Sequence, residues 1–109
     1  MKEYPAKIMI RVTANGCGLP LTGATLLVNG CPYEIPENNN GFSQIISVFS
    51  SNEKGVSKYC TAEARCEGFI SLICSDIPLT SGYLTVWNMP LERKSNKVKK
   101  IQNNEKTYR

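Results

Sequence analysis

An antiparallel β-sandwich is the fold this sequence predicts, and three observations predict it. The first ninety residues hold no segment with the period of a helix; they are a series of short alternating runs. Clusters of Gly, Pro and Asn separate those runs. The chain has 109 residues, 41% of them hydrophobic, which suffices for one packed domain and not for two. The expected architecture is one sandwich of about seven strands over residues 1–91, followed by a basic, disordered or weakly helical tail over 92–109.

Each element follows from local pattern. Lys7 to Thr13 sets Ile8, Ile10 and Val12 on one face and Lys7, Met9 and Arg11 on the other. Asn15-Gly16-Cys17-Gly18 makes the turn, because Asn and Gly tolerate positive φ. Ala24 to Asn29 is the next strand, with Ala24, Leu26 and Val28 facing one way. The prolines of Cys31-Pro32 to Ile35-Pro36 restrict that segment to an edge strand or loop. After the turn Asn38-Asn39-Asn40-Gly41, Phe42 to Phe49 is a strand in which Ile45 and Ile46 compete for the inner face. A loop around Asn52 to Gly55 leads to Lys58–Cys66, the cleanest alternation in the chain. There Cys60, Ala62, Ala64 and Cys66 oppose Thr61, Glu63 and Arg65. Phe69 to Ser75 and Tyr83 to Met89 complete the set. The expected core is Ile8, Ile10, Val12, Ala24, Leu26, Val28, Ala62, Ala64, Leu72, Val86 and Trp87.

Charge and composition narrow the function. Seven Lys or Arg stand against two Glu from Glu92 onward, whereas residues 1–91 hold six against seven acidic residues. The near-neutral body is not a nucleic-acid module, and the basic stretch is a solvated tail by default. Met1 to Pro5 leads straight into a strand without an apolar leader, and no run of 18 apolar residues occurs. A cytoplasmic protein with no membrane contact is expected. The five cysteines, Cys17, Cys31, Cys60, Cys66 and Cys74, are an odd number with no Cys-x-x-Cys pair. They read as mostly buried thiols, neither a disulfide framework nor a zinc site.

No His is present to activate a nucleophile, and Cys60 and Cys66 pattern inward among alanines. The carboxylates Glu34, Glu37, Glu53, Glu63, Glu67 and Asp76 lie mostly in turns, as solvated charges do. A non-enzyme without metal or cofactor is expected, and the pattern singles out no catalytic, cofactor-binding or metal-ligating residue. Trp87, Tyr83, Tyr59 and Phe69 suit either a sugar-stacking face or core filling, and core filling is favoured.

A family resemblance adds to this reading. Ile8-x-Ile10-x-Val12, a Gly turn and Pro20-Leu21-x-Gly23-Ala24-Thr25 resemble the start of carboxypeptidase-regulatory-like and Cna-B-like domains of the prealbumin-like (transthyretin-like) group. Asn38–Gly41 sits where that group has an Asp-x-x-Gly turn, and Tyr59-x-x-x-Glu63-x-x-x-x-Gly68-Phe69 is similar to its Tyr, Glu and Gly-Phe strand and turn. Asp76-Ile77-Pro78-Leu79 through Asn88-Met89-Pro90-Leu91 resembles the accessory domain of clostridial spore-cortex-lytic proenzymes and related cell-wall proteins of Firmicutes. The resemblance covers about residues 6–91. It implies an Ig-like, prealbumin-like sandwich that acts as a non-catalytic accessory or binding domain in peptidoglycan or spore-cortex remodelling. Its partner would be peptidoglycan or a cell-wall lytic enzyme. The alternative is a structural or protein-interaction domain of a cell-surface or phage assembly, where free sheet edges offer strand addition. Cna-B-like domains often carry a Lys–Asn isopeptide bond aided by an acid. Asn88 and Glu63 occupy plausible places, but Arg11, Val12 or Thr13 stands where the Lys belongs, Lys7 comes too early and Glu63 patterns outward. No crosslink is expected.

Overall fold

The computed structural model describes residues 2–95; the expected tail, from 96 on, lies outside them. Seven strands form: β1 (Tyr4–Ala14), β2 (Thr25–Val28), β3 (Cys31–Glu34), β4 (Ile46–Ser51), β5 (Ser57–Arg65), β6 (Leu72–Thr80) and β7 (Leu84–Leu91). They make two sheets, ordered β4-β1-β7 and β3-β2-β5-β6. One continuous core draws buried side chains from both, so the molecule is all-β and sandwich-like.

β1 is the centre of the smaller sheet. Ala6, Ile8, Ile10, Val12 and Ala14 are all buried, as the alternation predicts. β4 pairs with its first half antiparallel, through a bulge between Ala6 and Lys7. β7 pairs along it from Lys7↔Leu84 to Ala14↔Leu91, and this pairing is parallel. The sandwich is therefore mixed, not purely antiparallel. Alternation reports which face a residue takes and carries no information on strand direction. Parallel neighbours need a long crossover, and here the whole of the intervening chain supplies it.

The edge strand around Pro32 is real. β3 closes on β2 with Val28↔Cys31 in register, through Asn29-Gly30. The φ values of 50° and 85° at those two residues suit the mirror-image hairpin turns that Asn-Gly favours. Asn29 also accepts the Thr61 N–H through Oδ1 at 3.0 Å, which ties the turn to β5.

Three further expectations need correction. The strand expected over Phe42 to Phe49 begins only at Ile46. Before it, the chain runs along β1 through single contacts: Val12 N donates to Gly41 O at 2.9 Å, and Ser43 N to Ile10 O at 2.7 Å. Ile10 N donates to the buried Ser43 Oγ at 3.0 Å, which in turn donates to Gln44 O. Gly41 is needed here, since at φ +84° a Cβ would lie 2.7 Å from Val12 O. Ile46 wins the inner face and Ile45 is exposed.

The sixth strand is displaced from Phe69–Ser75 to Leu72–Thr80. Asp76 and Pro78 look like strand breakers in sequence. Asp76 instead takes φ +60°, where the β5–β6 register shifts between Cys60 and Ala62, and Pro78 pairs opposite Tyr59 on an edge strand. A bulge and an edge are the places that tolerate such residues, and so Ile77 and Leu79 enter the core. Phe69 is buried outside any named strand and bridges to Arg93. Ile70 N donates to Glu92 O and Lys94 N to Gly68 O, so ordered pairing continues past residue 91.

The pattern of hydrophobic residues places both Val86 and Trp87 in the core. Consecutive strand residues face opposite ways, and both cannot point inward. Trp87, Met89 and Leu91 take the inner side, and Val86 is 56% exposed. Trp87 and Leu72 pack on the core while remaining half-buried.

Two outcomes follow from this core. Ile10 is fully buried on the central strand, so Ile10→Ala is expected to cost about 2–5 kcal/mol, read from the shift in urea midpoint. Burial also pushes the Cys60 thiol above its ordinary 9.0. An acid whose folded pKa is raised binds its proton more tightly when folded, so its contribution is complete below the unfolded pKa and is lost as pH rises through the folded one. Stability is expected to fall as pH climbs past 9.0, and Cys60→Ala to flatten that decline; a series of urea melts across alkaline pH measures both.

Candidate functional site

The four aromatic candidates separate. Phe69 is buried and Trp87 half-buried against the core, whereas Tyr59 is 71% and Tyr83 54% exposed. Tyr59 stands beside the exposed Pro78 on β6. Tyr83 follows the β6–β7 turn, where its N–H returns to Thr80 O at 3.1 Å and its carbonyl accepts Lys7 N at 3.1 Å. Burial of a ring depends on which neighbouring residues reach the opposite sheet, and residue type alone does not report that.

The turn bearing Tyr83 is held by one buried hydroxyl. Ser81 is fully buried. Its Oγ accepts Val56 N at 2.8 Å and donates to Glu53 O at 2.7 Å. Its backbone N–H donates to Val56 O at 2.8 Å, and its carbonyl accepts Gly55 N at 3.0 Å. Four bonds thus join the β4–β5 loop to the β6–β7 turn. The join lays the Lys54 stem across Gly82, where a Cβ at φ +87° would come within 2.9 Å of Lys54 Cγ. Lys54 Nζ then stands 5.1 Å from the centre of the Tyr83 ring, within cation–π range.

Other basic residues gather at the same end. Lys2 Nζ lies 6.0 Å from the Tyr4 ring and Lys58 Nζ 5.0 Å from the Phe49 ring. An open groove of about 320 Å³ is lined by Tyr4, Pro5, Lys7, Gly82, Tyr83 and Leu84. Rings offer flat apolar faces there, and ammonium groups offer charge. Lysines beyond hydrogen-bond reach of any carboxylate in the groove wall suit an anionic ligand. The residues Lys54, Gly82 and Tyr4 carry no motif in sequence; the one legible signal is Ser81-Gly82 as a turn.

The remaining candidates are dispersed. Glu34, Glu37, Glu53, Glu67 and Asp76 are exposed, and Glu63 is bound at 2.7 Å to Arg65, whose guanidinium it holds above its ordinary value by hydrogen bonding and then by charge. Asn88 stands in register with Arg11, while Glu63 belongs to the other sheet, so the residues considered for a crosslink are not brought together. All five cysteines are free thiols. Cys17 and Cys31 are exposed, Cys60 is buried, and Cys66 and Cys74 are half-buried. Among the described residues no group of three or more metal-ligating side chains forms, and no helix is long and apolar enough to cross a membrane.

Ser81→Ala is expected to destabilise the fold by about 1–3 kcal/mol, because it leaves the Val56 N–H and the Glu53 carbonyl unpartnered. Faster amide exchange at Val56 and Gly55, measured by hydrogen exchange, is expected beside the lowered urea midpoint. No protein-family model matches this chain, and comparison with curated proteins finds no match.

Proposed function

We propose that this chain is a non-catalytic accessory or binding module of the Ig-like, prealbumin-like kind, acting in bacterial peptidoglycan or spore-cortex remodelling. The observation that carries the reading is that Tyr83, 54% exposed, stands outside the core on the wall of an open groove. A sandwich core uses its large aromatics first, and rings left on the surface are available to stack on sugars. The motif resemblance over residues 6–91 supports the same reading. Its role would be to hold a polymer or a lytic enzyme in place, with the bond-breaking left to the enzyme.

A second reading is a protein-interaction domain, and β7 favours it. This edge strand runs Leu84-Thr85-Val86-Trp87-Asn88-Met89 without a charge, with Leu84 and Val86 exposed. Such an edge accepts an added strand.

Co-sedimentation of the full chain with peptidoglycan sacculi and with spore cortex, at low and high salt, separates the two. A variant with Lys97, Lys99, Lys100, Lys106 and Arg109 changed to Gln controls for the basic stretch. Binding that survives these five changes is expected, weakened but not abolished at high salt. Binding that disappears with the five changes would reduce it to charge attraction. No binding at all would favour the interaction domain.

A further inference from the structure

We propose that the groove between Tyr4 and Tyr83 binds an anionic polysaccharide, with Tyr83 stacked on a sugar ring and Lys7 and Lys54 meeting its carboxylates. This rests on the wall-binding reading above, and names the ligand class and the place.

The groove combines a lysine with an absence of carboxylates, whereas a smaller one of about 150 Å³, lined by Val28, Asn29, Cys31, Tyr33 and residues 46–48, carries no charge at all. A larger one, about 440 Å³, is lined by residues 22–25 and 34–37 and includes Glu34 and Glu37. Another, about 380 Å³, again includes Glu34, and a third, about 300 Å³, includes Glu92. Carboxylates in these walls repel an anion. The groove at Tyr83 has Lys7 in its wall, two tyrosine rings and no carboxylate. Lys54 and Lys2 stand over those same two rings.

The ring is held in place before any ligand arrives. The four bonds through Ser81 fix the turn, and Lys54 crosses Gly82 to reach one side of Tyr83. With Lys54 there, the exposure of Tyr83 falls on its remaining surface. A platform already ordered loses little conformational entropy on binding. The charge pattern favours a glycan over a nucleic acid. Lys2, Lys7, Lys54 and Lys58 share this end with the exposed Glu3 and Glu53. A nucleic acid strand carries a phosphate about every 3.4 Å and would bring phosphates against those glutamates. The sparser carboxylates of a wall polysaccharide leave room to avoid them.

The test uses the full chain against peptidoglycan sacculi, chitin as a neutral polymer of related sugars, and single-stranded DNA. Tyr83→Ala, Lys54→Gln and Lys7→Gln are each expected to weaken sacculus binding about tenfold. Chitin should bind about tenfold or more weakly than sacculi in the unaltered chain. Tyr59→Ala, on the outer face of β5, should leave sacculus binding intact. Melting temperatures of the Lys54 and Tyr83 variants are expected to match the unaltered chain, because both are surface residues, and that of the half-buried Lys7 variant to stay within a few degrees of it. Sacculus binding that survives the three groove changes, or that is lost with Tyr59→Ala, would overturn the groove and leave the wall-binding reading standing. Absence of sacculus binding by the unaltered chain would overturn both. Equal binding to chitin would refute the anionic preference, and tighter binding to DNA through the same residues would refute the glycan.

Discussion

The pairing of the first strand with the last is the constraint on which the rest of this structure depends. β1 meets β7 in parallel over eight residue pairs, from Lys7↔Leu84 to Ala14↔Leu91. Every other element lies between them in the chain, so this ladder closes the whole molecule. It also makes β1 central, with β4 on its other side. A central strand has its backbone groups satisfied on both edges, and its inner face is free to be wholly apolar. Ala6, Ile8, Ile10, Val12 and Ala14 use that freedom. Closing so long a loop is entropically costly and kinetically late.

Buried hydroxyls do for the loops what the ladder does for the strands. Ser43 accepts the Ile10 N–H, which otherwise faces an irregular segment where β4 has not yet begun. Ser81 joins the β4–β5 loop to the β6–β7 turn. Both are essentially inaccessible to water. A buried polar group is costly unless bonded, and each of these serines is bonded as donor and acceptor. Lys54 and Tyr83, 29 positions apart in the chain, stand together because of Ser81. Order at the candidate site therefore derives from the fold's own hydrogen-bond accounting.

The four sheet edges are protected unequally. β3 is four residues long and contains Pro32; β6 carries the Asp76 bulge and Pro78; β4 is short and bulged against β1. Each of these devices discourages a further strand. β7 has only Pro90, near its end, and presents Leu84 and Val86 to solvent. Its openness and the lysine–tyrosine groove meet at Tyr83–Leu84, so one end of the molecule concentrates the surface features that its interior does not require.

Much of this architecture was legible in the residues. Alternation located β1, β2 and β5 and their inner faces, because period-two side-chain direction is a local property of an extended chain. Pro32 marked an edge, since a missing N–H is local too; Asn29, read as the end of a strand, instead opens the turn into β3. The displaced β6 was not legible, because Asp76 and Pro78 are acceptable only where a partner strand on one side alone leaves room for a bulge. The inner face of β7 was misread where two adjacent large residues, Val86 and Trp87, competed. Strand direction, the exposure of Tyr83 and the approach of Lys54 were beyond local pattern. By itself the sequence determined an all-β domain, the inner faces of β1, β2 and β5, and some of its turns. Tertiary structure alone decided which strands pair, in which direction, and which aromatic rings remain outside, because those depend on contacts between residues far apart in the chain.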